Sequence, residues 1–595
     1  MSSIKLQKNH DNLSKKTPML GFTVFFAHEN YASQPNNFSN RDGFSPWEIV
    51  YLNNIELIIF ISGVLLMLTK KTLYAILIAT LFLILHSPSF SQDKSDEVLC
   101  HELMQNYFDL ILSGNYTSAL DLWEPSALSR AERLAINYSD IPIKPDCGSP
   151  VIYDFARLQQ FLYSNLTSPK KIDSGLVRVE IQFRLGDEKI VYSYLLKKKD
   201  EYFWIIFPQD YYAGDWPISE SKYFRFHVNP KQDSFFNNIA VKSLDDYVER
   251  TAKKIIIPPE RLALLAEKKI DYYFCRGEEE VQKISGRTTK GVYDLGADAI
   301  ISSIFPHYHE VTHLLINFKL KELPLFTLPF IQEGTAVYFG GQWQRAPEVM
   351  LDFGEYILNY KIVELDSVLA DKSDPNTVSA DISYPVDACL MEYLFSTLGS
   401  DKFFGLYRSL SGDYNYFINS TQDSAKRILA AQTGKSWEQI KTDFEAFLKT
   451  QQSRGGLIFP GEITTGKEIV KDSGLVISSS DKWLKIEYYA NKDDKADVNF
   501  LFGKDTAMAG KLSSIFIEQY KDTRPFEGYR FGIRLDRNEA GLYDYSTNQL
   551  MAKYVHDFDP GPNYYDSASG KYSAYFDINL LGKNLPKKMD YLIIK

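Results

Sequence analysis

The sequence predicts a multidomain α+β protein, and three observations support that fold class. The chain has 595 residues, enough for about four domains. Helix-period and strand-period patterns alternate as far as about residue 450, and short strand patterns dominate from residue 461 onward. Hydrophobic residues make up 45% and charged residues 24% of the chain, as in ordinary globular proteins.

The amino-terminal region reads as an export signal that begins at an internal methionine. Residues 67–91 combine a basic start at Lys70 and Lys71, an apolar run at 73–85 and small residues before Gln92. We therefore predict a signal peptide at 67–91 and a secreted, periplasmic or cell-envelope protein. Residues 1–66 are then a non-native upstream extension, or else a disordered or membrane segment.

A membrane anchor formed by residues 55–86 is the alternative. Its two apolar runs, 55–68 and 73–85, are both shorter than the roughly 20 residues that a spanning helix needs. The mature chain is accordingly expected to have no stable membrane span.

Residues 93–220 are predicted to form a first α+β domain. Helix patterns at 97–112, 116–123 and 154–163 precede strand patterns at 176–185, 189–196 and 202–207. Helices followed by long strands, with the phrase from Tyr107 to Tyr116 and then Leu122-Trp123, resemble nuclear-transport-factor-2-like domains. The resemblance implies an α+β cone that either binds a partner or substrate or braces the enzyme.

The chain has four cysteines. Cys100 and Cys147 fall in the first domain and are a candidate disulfide pair in an exported protein. Cys275 and Cys389 are expected to be small buried hydrophobes. No C-x-x-C pair occurs, so a structural cysteine-zinc site is not supported.

The motif His309-Glu310-Val311-Thr312-His313 contains candidate metal-ligating and catalytic residues. Residues four apart share one face of a helix, so His309 and His313 can ligate a single ion. Glu310 lies beside that face, where it can reach a water without ligating the ion. Catalytic zinc takes three protein ligands and leaves one position open.

Glu333 is the candidate third ligand. It lies on a helix predicted from near Pro329 to the Gly340-Gly341 pair, among apolar neighbours. A buried carboxylate without a partner is costly, and this favours a ligand role over a chance occurrence. His307 is expected to be a surface or ligand-supporting group, and Asn317 is a candidate support for a ligand.

At these residues the chain resembles the gluzincin metallopeptidases, the group of thermolysin and aminopeptidase N, over residues 222–452. Their signature is H-E-x-x-H on one helix and a glutamate in E-G-x-A on the next, here Glu333 to Ala336. The resemblance implies Zn²⁺ held by His309, His313 and Glu333, and a peptide or protein substrate. Residues 290–300 then resemble the edge strand that holds substrate, and residues 384–448 the helical subdomain that closes the cleft.

The resemblance also implies residue roles. Glu310 would take the proton of a water and pass it to the leaving amine. Tyr384, at the start of a helix predicted at 384–397, matches a tyrosine that often stabilises the oxyanion in aminopeptidase N relatives. Tyr308 and Tyr338 are its competitors.

One departure from the aminopeptidase pattern leaves open whether cleavage occurs at a peptide end or within the peptide. The strand that carries G-x-M-E-N in those enzymes reads Gly296-Ala297-Asp298-Ala299-Ile300 here, without the glutamate that grips the substrate amine. Asp298 is either a substitute for it or a solvated edge aspartate.

Residues 461–595 are predicted to form a β-sandwich that resembles accessory carbohydrate-binding domains. Its predicted strands are 475–478, 483–489, 496–502, 514–520, 529–535 and 574–578. Aromatic side chains there either contact carbohydrate or a cell surface, or fill the core between the sheets.

The net charge of −10 disfavours nucleic acid as a partner. The leading hypothesis is an exported zinc-dependent peptidase. The alternative is a non-catalytic extracytoplasmic binding or scaffold protein on a metallopeptidase-like fold, and a zinc hydrolase with a non-peptide substrate also stays open.

Overall fold

A computed structural model describes residues 94–158, 166–185, 188–369 and 378–451. In the last region it describes residues 467–472, 474–480, 483–489, 498–508, 511, 528–535, 539–555, 565–566, 570–577 and 591–594. The predicted signal peptide, the upstream segment 1–66, the alternative anchor 55–86 and the strand predicted at 514–520 lie outside these ranges. Within them, no helix is both long enough and apolar enough to cross a membrane.

The described residues form a mixed helix-and-sheet protein, which confirms the α+β class at that level. The α-helices are α1 (Asp96–Leu112), α2 (Tyr116–Leu120), α3 (Pro125–Glu132), α4 (Pro150–Tyr153), α5 (Phe155–Leu158), α6 (Pro208–Tyr212), α7 (Asn238–Lys254), α8 (Pro259–Lys268), α9 (Glu278–Ser285), α10 (Tyr308–Leu320), α11 (Pro329–Gly340), α12 (Pro347–Asn359), α13 (Leu365–Val368), α14 (Ala380–Ser409), α15 (Tyr414–Asn419), α16 (Gln422–Thr433) and α17 (Trp437–Leu448).

The strands up to residue 450 are β1 (Asn137–Tyr138), β2 (Lys170–Asp173), β3 (Leu176–Leu185), β4 (Glu188–Lys199), β5 (Tyr202–Ile206), β6 (Ile218–Glu220), β7 (Phe224–Val228), β8 (Ile270–Phe274), β9 (Gly291–Asp294), β10 (Ala299–Ser302), β11 (Glu322–Leu323), β12 (Phe326–Thr327) and β13 (Ser411–Gly412). Those after it are β14 (Lys467–Asp472), β15 (Leu475–Ser479), β16 (Trp483–Tyr489), β17 (Val498–Lys504), β18 (Tyr529–Leu535), β19 (Glu539–Asp544), β20 (Gln549–Val555), β21 (Tyr565–Asp566), β22 (Lys571–Asp577) and β23 (Tyr591–Ile594).

The chain divides into two units. One contains residues 100–595 together with residues 1–26, and the other contains residues 27–99, of which the structure describes only 94–99. The boundaries at 220 and 452 that the sequence suggests lie inside the first unit and stay a prediction.

The first region combines short helices with a four-stranded antiparallel sheet in the order β2-β3-β4-β5. Strand β3 begins and ends where the sequence predicts, and β4 is longer at both ends than the predicted 189–196. The helix predicted at 154–163 is interrupted: α4 ends at Tyr153, α5 begins at Phe155, and residues 159–165 lie outside the described ranges.

Asp146 is a buried acid at the centre of this region, with no exposed surface. The hydroxyls of Tyr107 and Tyr194 donate to its Oδ2 at 2.9 and 2.8 Å, and Ser149 contacts Tyr194. Burial raises the pKa of Asp146 to about 7, although these tyrosine hydrogen bonds oppose the shift. Ionisation of the buried Asp146 carboxyl therefore destabilises the folded state, and this destabilisation increases as the pH rises.

The candidate disulfide between Cys100 and Cys147 is not formed. Both residues are buried free thiols, as are Cys275 and Cys389. The last two match the expectation of small buried hydrophobes.

The central sheet has the order β6-β7-β8-β10-β9. Strands β7, β8 and β10 run parallel, and β9 is an edge strand antiparallel to β10. All five residues of β8 are buried, as expected for a parallel strand covered on both faces. The hairpin of β9 and β10 leads directly into α10, which places the histidine motif beside the sheet edge.

The first and central regions share one hydrophobic core. Leu134 and Ile136 belong to the same buried cluster as the side chains of α10 and α11. Strand β1 pairs in parallel with β11, and Arg133 forms an ion pair with Asp271 of β8. These contacts join the first region to the central one.

The helical region after residue 378 is longer than the sequence predicts. The helix predicted at 384–397 is part of α14, which begins at Ala380 and is interrupted at Gly399. Tyr384 therefore lies in the second turn of the helix rather than at its start.

From residue 467 the chain forms two five-stranded antiparallel sheets, β14-β15-β16-β22-β21 and β20-β19-β18-β17-β23. Leu475, Ile486, Phe500, Phe531 and Phe576, from both sheets, share one core, so these inward aromatics serve packing. Strands β16 and β18 have the predicted bounds, whereas β19 and β20 were not predicted.

The pKa of Asp146 predicts a measurable pH dependence of stability. Because the folded-state pKa lies above the unfolded value of 3.8, the folded protein holds the proton more tightly, and stability is lost as pH rises from about 4 to about 7. Asp146→Asn keeps an oxygen for the two tyrosines and cannot ionise. We expect the variant to gain on the wild type by a few kcal/mol, on the order of 1 kcal/mol per pH unit, across that window.

Thermal unfolding followed by circular dichroism between pH 4 and 8 tests this expectation. Asp401→Asn is the matched control, because the Asp401 side chain is 86% exposed. Unfolding curves of Asp146→Asn and wild type that stay parallel across the whole range would show that Asp146 does not titrate as described.

Candidate metal centre

Helix α10 carries the histidine motif through the interior of the protein. Twelve of its thirteen residues are buried, as in a helix that is covered on all sides. His309 and His313 lie one turn apart with 2% and 5% of their surfaces exposed. The motif is therefore helical, as predicted, and its polar side chains must find partners inside the protein.

Helix α11 supplies Glu333, and its bounds agree with the sequence prediction. Pro329 occupies its first turn, where the missing N–H costs nothing, and Gly341 (φ +73°) ends it. Glu333 is 4% exposed. The helix thus places a carboxylate in the same buried volume as the two imidazoles.

The three predicted ligand side chains converge. His309 Nε2 lies 3.2 Å from Glu333 Oε2 and 3.1 Å from His313 Nε2, and His313 Nε2 lies 3.7 Å from Glu333 Oε2. Donors bound tetrahedrally to zinc at about 2.0–2.1 Å are about 3.3 Å apart. The donor set, two nitrogens and one oxygen, and its spacing fit a single Zn²⁺.

The hydrogen-bond requirements of His309 fix the tautomer that a metal ligand needs. Its Nδ1 lies 3.1 Å from the carbonyl oxygen of Gly341, which can only accept, so Nδ1 carries a proton. A neutral imidazole then presents a lone pair at Nε2, toward Glu333 Oε2 and His313 Nε2. A proton, on His309 Nε2 or on His313 Nε2, or a metal ion must lie between these atoms.

The protonation equilibria reflect this crowding. Burial would lower the pKa of His309, but its hydrogen bond to Glu333 and the charges of Glu333 and Glu310 outweigh burial and raise it. Burial would raise the pKa of Glu333, but the charge of His313 and the hydrogen bonds from both histidines hold it well below its usual range. The cluster therefore favours an ionised carboxylate beside a positive charge.

Two glycines let the three helices around the cluster approach closely. A Cβ on Gly340 would lie 2.7 Å from the Tyr308 carbonyl oxygen and 2.8 Å from the His309 nitrogen. A Cβ on Gly334 would lie 2.9 Å from the backbone carbon of Asp387 on α14. Larger residues at these positions would push α11 away from α10 or α14.

Glu310 does not join the ligand cluster. Its Oε2 accepts a hydrogen bond of 2.8 Å from the backbone N–H of Tyr293 on the edge strand β9, and the residue is 4% exposed. The edge strand thereby fixes the carboxylate next to the ligand face, where the sequence analysis expected a proton acceptor.

Tyr384 is the tyrosine that faces the cluster. Burial, followed by the charges of Glu333, Asp387 and Glu310, raises its pKa well above the usual value. Its ring stacks on Trp343 with centroids 6.0 Å apart and planes 7° apart. The competitors have other contacts: the Tyr308 hydroxyl lies 2.5 Å from Ser243 Oγ, and the Tyr338 ring covers Lys254 Nζ at 4.0 Å.

The expectation of a solvated edge aspartate at Asp298 is wrong, and its role as a substitute for the glutamate stays a prediction. The residue has no exposed surface, so it is not a solvated edge aspartate. Its carboxylate binds Lys144 Nζ at 2.6 Å and the Tyr293 hydroxyl at 2.9 Å. Lys144 is 154 positions away in sequence, and no local pattern marks that pairing.

The two supporting candidates also take definite places. His307 is buried rather than on the surface, its Nδ1 lies 2.9 Å from Ser302 Oγ, and burial lowers its pKa to about 4. Asn317 donates to the Tyr138 hydroxyl at 3.4 Å, and so contacts the first region.

Asp387 is a neighbour of the cluster that the sequence analysis missed. It is 2% exposed, and its Oδ1 has no hydrogen-bond partner in the described structure. Burial, followed by the charge of Glu333, raises its pKa well above the usual value. Asp387 lies within the helical pattern of α14, and nothing in the sequence except its polar side chain marks it as a functional residue.

No protein-family model matches the chain, and neither a curated protein nor a solved structure matches it.

The close approach at Gly340 can be tested by adding a methyl group. Gly340→Ala should destabilise the fold by roughly 1–3 kcal/mol and weaken metal binding, because the new Cβ meets backbone atoms of α10. Gly405→Ala is the control: it is a helical position with no atom within 4 Å of the added Cβ, so stability should be kept or slightly raised.

Thermal unfolding and competition with a chromogenic chelator measure the two effects. Equal stability and equal metal affinity for both variants would contradict the packing described for α10 and α11.

Proposed function

We propose that the protein is a zinc-dependent peptidase in which His309, His313 and Glu333 hold the ion. One observation carries the proposal: the two imidazole nitrogens and the carboxylate oxygen lie within 3.1–3.7 Å of one another in a buried site. They belong to the only group of three or more potential ligands found among the described residues. The same residues carry the gluzincin resemblance in the sequence.

The assignment of a gluzincin-like peptidase fold to residues 222–452 is part of this proposal. Gluzincin-like peptidases hold substrate along an edge strand, and β9 is an antiparallel edge strand whose amide contacts Glu310. We further propose a nuclear-transport-factor-2-like cone for the first region, built on its four-stranded sheet, and a β-sandwich for the paired sheets after residue 467.

The chemistry divides between the ion and the side chains of this chain. A bound Zn²⁺ supplies Lewis-acid polarisation of a carbonyl and lowers the pKa of a water. Glu310, oriented by the Tyr293 amide, would accept a proton from the attacking water and deliver it to the leaving amine. Tyr384, beside Glu333, would donate a hydrogen bond from its hydroxyl to the oxygen that becomes negative when the peptide bond is attacked.

Export stays an expectation, since the signal segment 67–91 lies outside the described residues. A carbohydrate or cell-surface contact through the C-terminal region also stays an expectation.

Removal of the ion and removal of the base should have different signatures. A chelator should abolish peptide hydrolysis, and added zinc should restore it. Glu310→Gln should keep bound zinc and lose about 10²–10⁴ in kcat, because it removes the proton acceptor without removing a ligand. Glu333→Gln should instead weaken zinc binding.

Metal analysis and a mixed peptide library read by mass spectrometry make both measurements. Glu438→Gln is a suitable control, since the Glu438 side chain is 79% exposed. Cleavage by Glu310→Gln at the wild-type rate would exclude the mechanism. A protein that binds no zinc at neutral pH would favour the non-catalytic scaffold.

Tyr384→Phe isolates the stabilisation of the oxyanion. The variant keeps the ring that stacks on Trp343 and loses the hydroxyl, so kcat should fall by about 10²–10³ with little change in KM or zinc content. Tyr338→Phe is the matched control, because its ring covers Lys254. Should Tyr338→Phe lose activity while Tyr384→Phe retains it, the assignment of Tyr384 is wrong.

A further inference from the structure

A cavity that is open to solvent borders the candidate metal centre on the side of His309, and the space between its walls, open solvent included, is about 240 Å³. One wall is the first turn of α10, and the opposite wall is the chain that follows α11, from Gly341 to Arg345. Gln549, from the start of β20, completes it. The cavity therefore joins a proposed metal ligand to residues of the C-terminal region.

The chain from Gln342 to Arg345 forms a tight turn with a rare backbone conformation. Gln342 and Arg345 exchange both backbone hydrogen bonds, of 3.1 and 2.8 Å. Both central residues, Trp343 (φ +48°) and Gln344 (φ +61°), are in the left-handed region that glycine or asparagine usually occupies. Neither is one of these, and strain of this kind concentrates at functional sites.

The C-terminal region holds this turn in place. The Leu550 N–H donates to the Gln344 carbonyl oxygen at 2.8 Å, and the Ala346 N–H donates to the Leu550 carbonyl oxygen at 3.0 Å. The residue before Leu550 is Gln549, so the same strand that fixes the turn also contributes a residue to the lining of the cavity.

Arg345 is the charged group of the cavity. None of the residues that line it is an aspartate or a glutamate, and Arg345 forms no ion pair within the described part of the chain. Its guanidinium lies 5.9 Å from the centre of the Trp343 ring, which restricts its orientation. The positive end of the α10 dipole lies at the same cavity.

We propose that Arg345 and Gln549 bind a carboxylate of the peptide substrate, so that the enzyme selects a peptide with an acidic group at this position. The inference rests on the proposed peptidase function and names a substrate class for it. Arginine binds a carboxylate through two parallel hydrogen bonds, and the Gln549 amide can donate a third. The carboxylate comes either from an Asp or Glu side chain or from the free C-terminus of the peptide.

Peptide pairs that differ in a single carboxylate test the proposal. One series replaces Glu by Gln at successive positions, and a second replaces the free C-terminus by an amide. Binding is measured by titration calorimetry on the zinc-loaded Glu310→Gln protein, and kcat/KM is measured on the wild type. We expect one acidic position, or the free C-terminus, to bind about tenfold or more tighter than its neutral partner.

Arg345→Ala and Arg345→Gln should each abolish that preference. Gln549→Ala should reduce the preference. Arg427→Ala is the matched control, because Arg427 is exposed on α16, and it should keep the wild-type preference. Two different substitutions of Arg345 are used so that misfolding of one variant does not decide the result. Circular dichroism measures whether each variant is folded.

The ratio of acidic to neutral binding decides the inference. An acidic preference that persists in both arginine variants, or a wild type that binds both members of every pair equally, would overturn it. Chelator-sensitive cleavage without any acidic preference would overturn the inference and leave the peptidase function standing. Acid-selective binding without turnover by the wild type would overturn the peptidase function and support the carboxylate site, and failure to bind any peptide would overturn both.

Discussion

The convergence of three potential ligand atoms in a buried space is the constraint on which the central structure depends. His309, His313 and Glu333 can lie this close only with a proton or a cation between each facing pair of atoms. The helices nevertheless hold them together, because Gly340 and Gly334 let α11 pack closely against α10 and α14. The carbonyl oxygen of Gly341, at the end of the same helix, also fixes the proton on His309 Nδ1. One short segment of α11 thus sets the spacing, the tautomer and the third donor.

The walls around this cluster come from the flanking regions of the chain. Lys144 of the first region holds Asp298, Asp298 holds the Tyr293 side chain, and the Tyr293 backbone amide holds Glu310. On the other side, Leu550 of the C-terminal region holds the turn after α11. Two non-glycine residues with positive φ cost about 1–3 kcal/mol each, and two backbone hydrogen bonds return about 0.5–1.5 kcal/mol each. The flanking regions therefore act on the site rather than merely adjoining it.

The sequence predicted those parts of the site that depend on residues close together in the chain, namely helix periodicity and helix ends. The i, i+4 spacing of the histidines, the proline at the start of α11 and the glycine pair at its end were sufficient to place His309, His313 and Glu333 on the two helices that bring them together. The fate of Asp298 could not be predicted, because its partner Lys144 is 154 positions away. The turn at Trp343 and Gln344 lacks the glycine or asparagine that normally marks such a conformation. Strands β19 and β20 were not predicted from the sequence, because pairing between strands rather than a local pattern holds them in the second sheet.

The charges around the cluster indicate which ion the site could hold. Glu333 and Glu310 bring two negative charges into a volume where each residue is 4% exposed, and two neutral imidazoles add none. Asp387 lies alongside, and burial, followed by the charge of Glu333, raises its pKa. A divalent cation would offset the charges of Glu333 and Glu310, whereas a monovalent cation would leave one of these carboxylates uncompensated. Charge balance thus favours the same kind of ion as the nitrogen and oxygen donors do, by a separate physical argument.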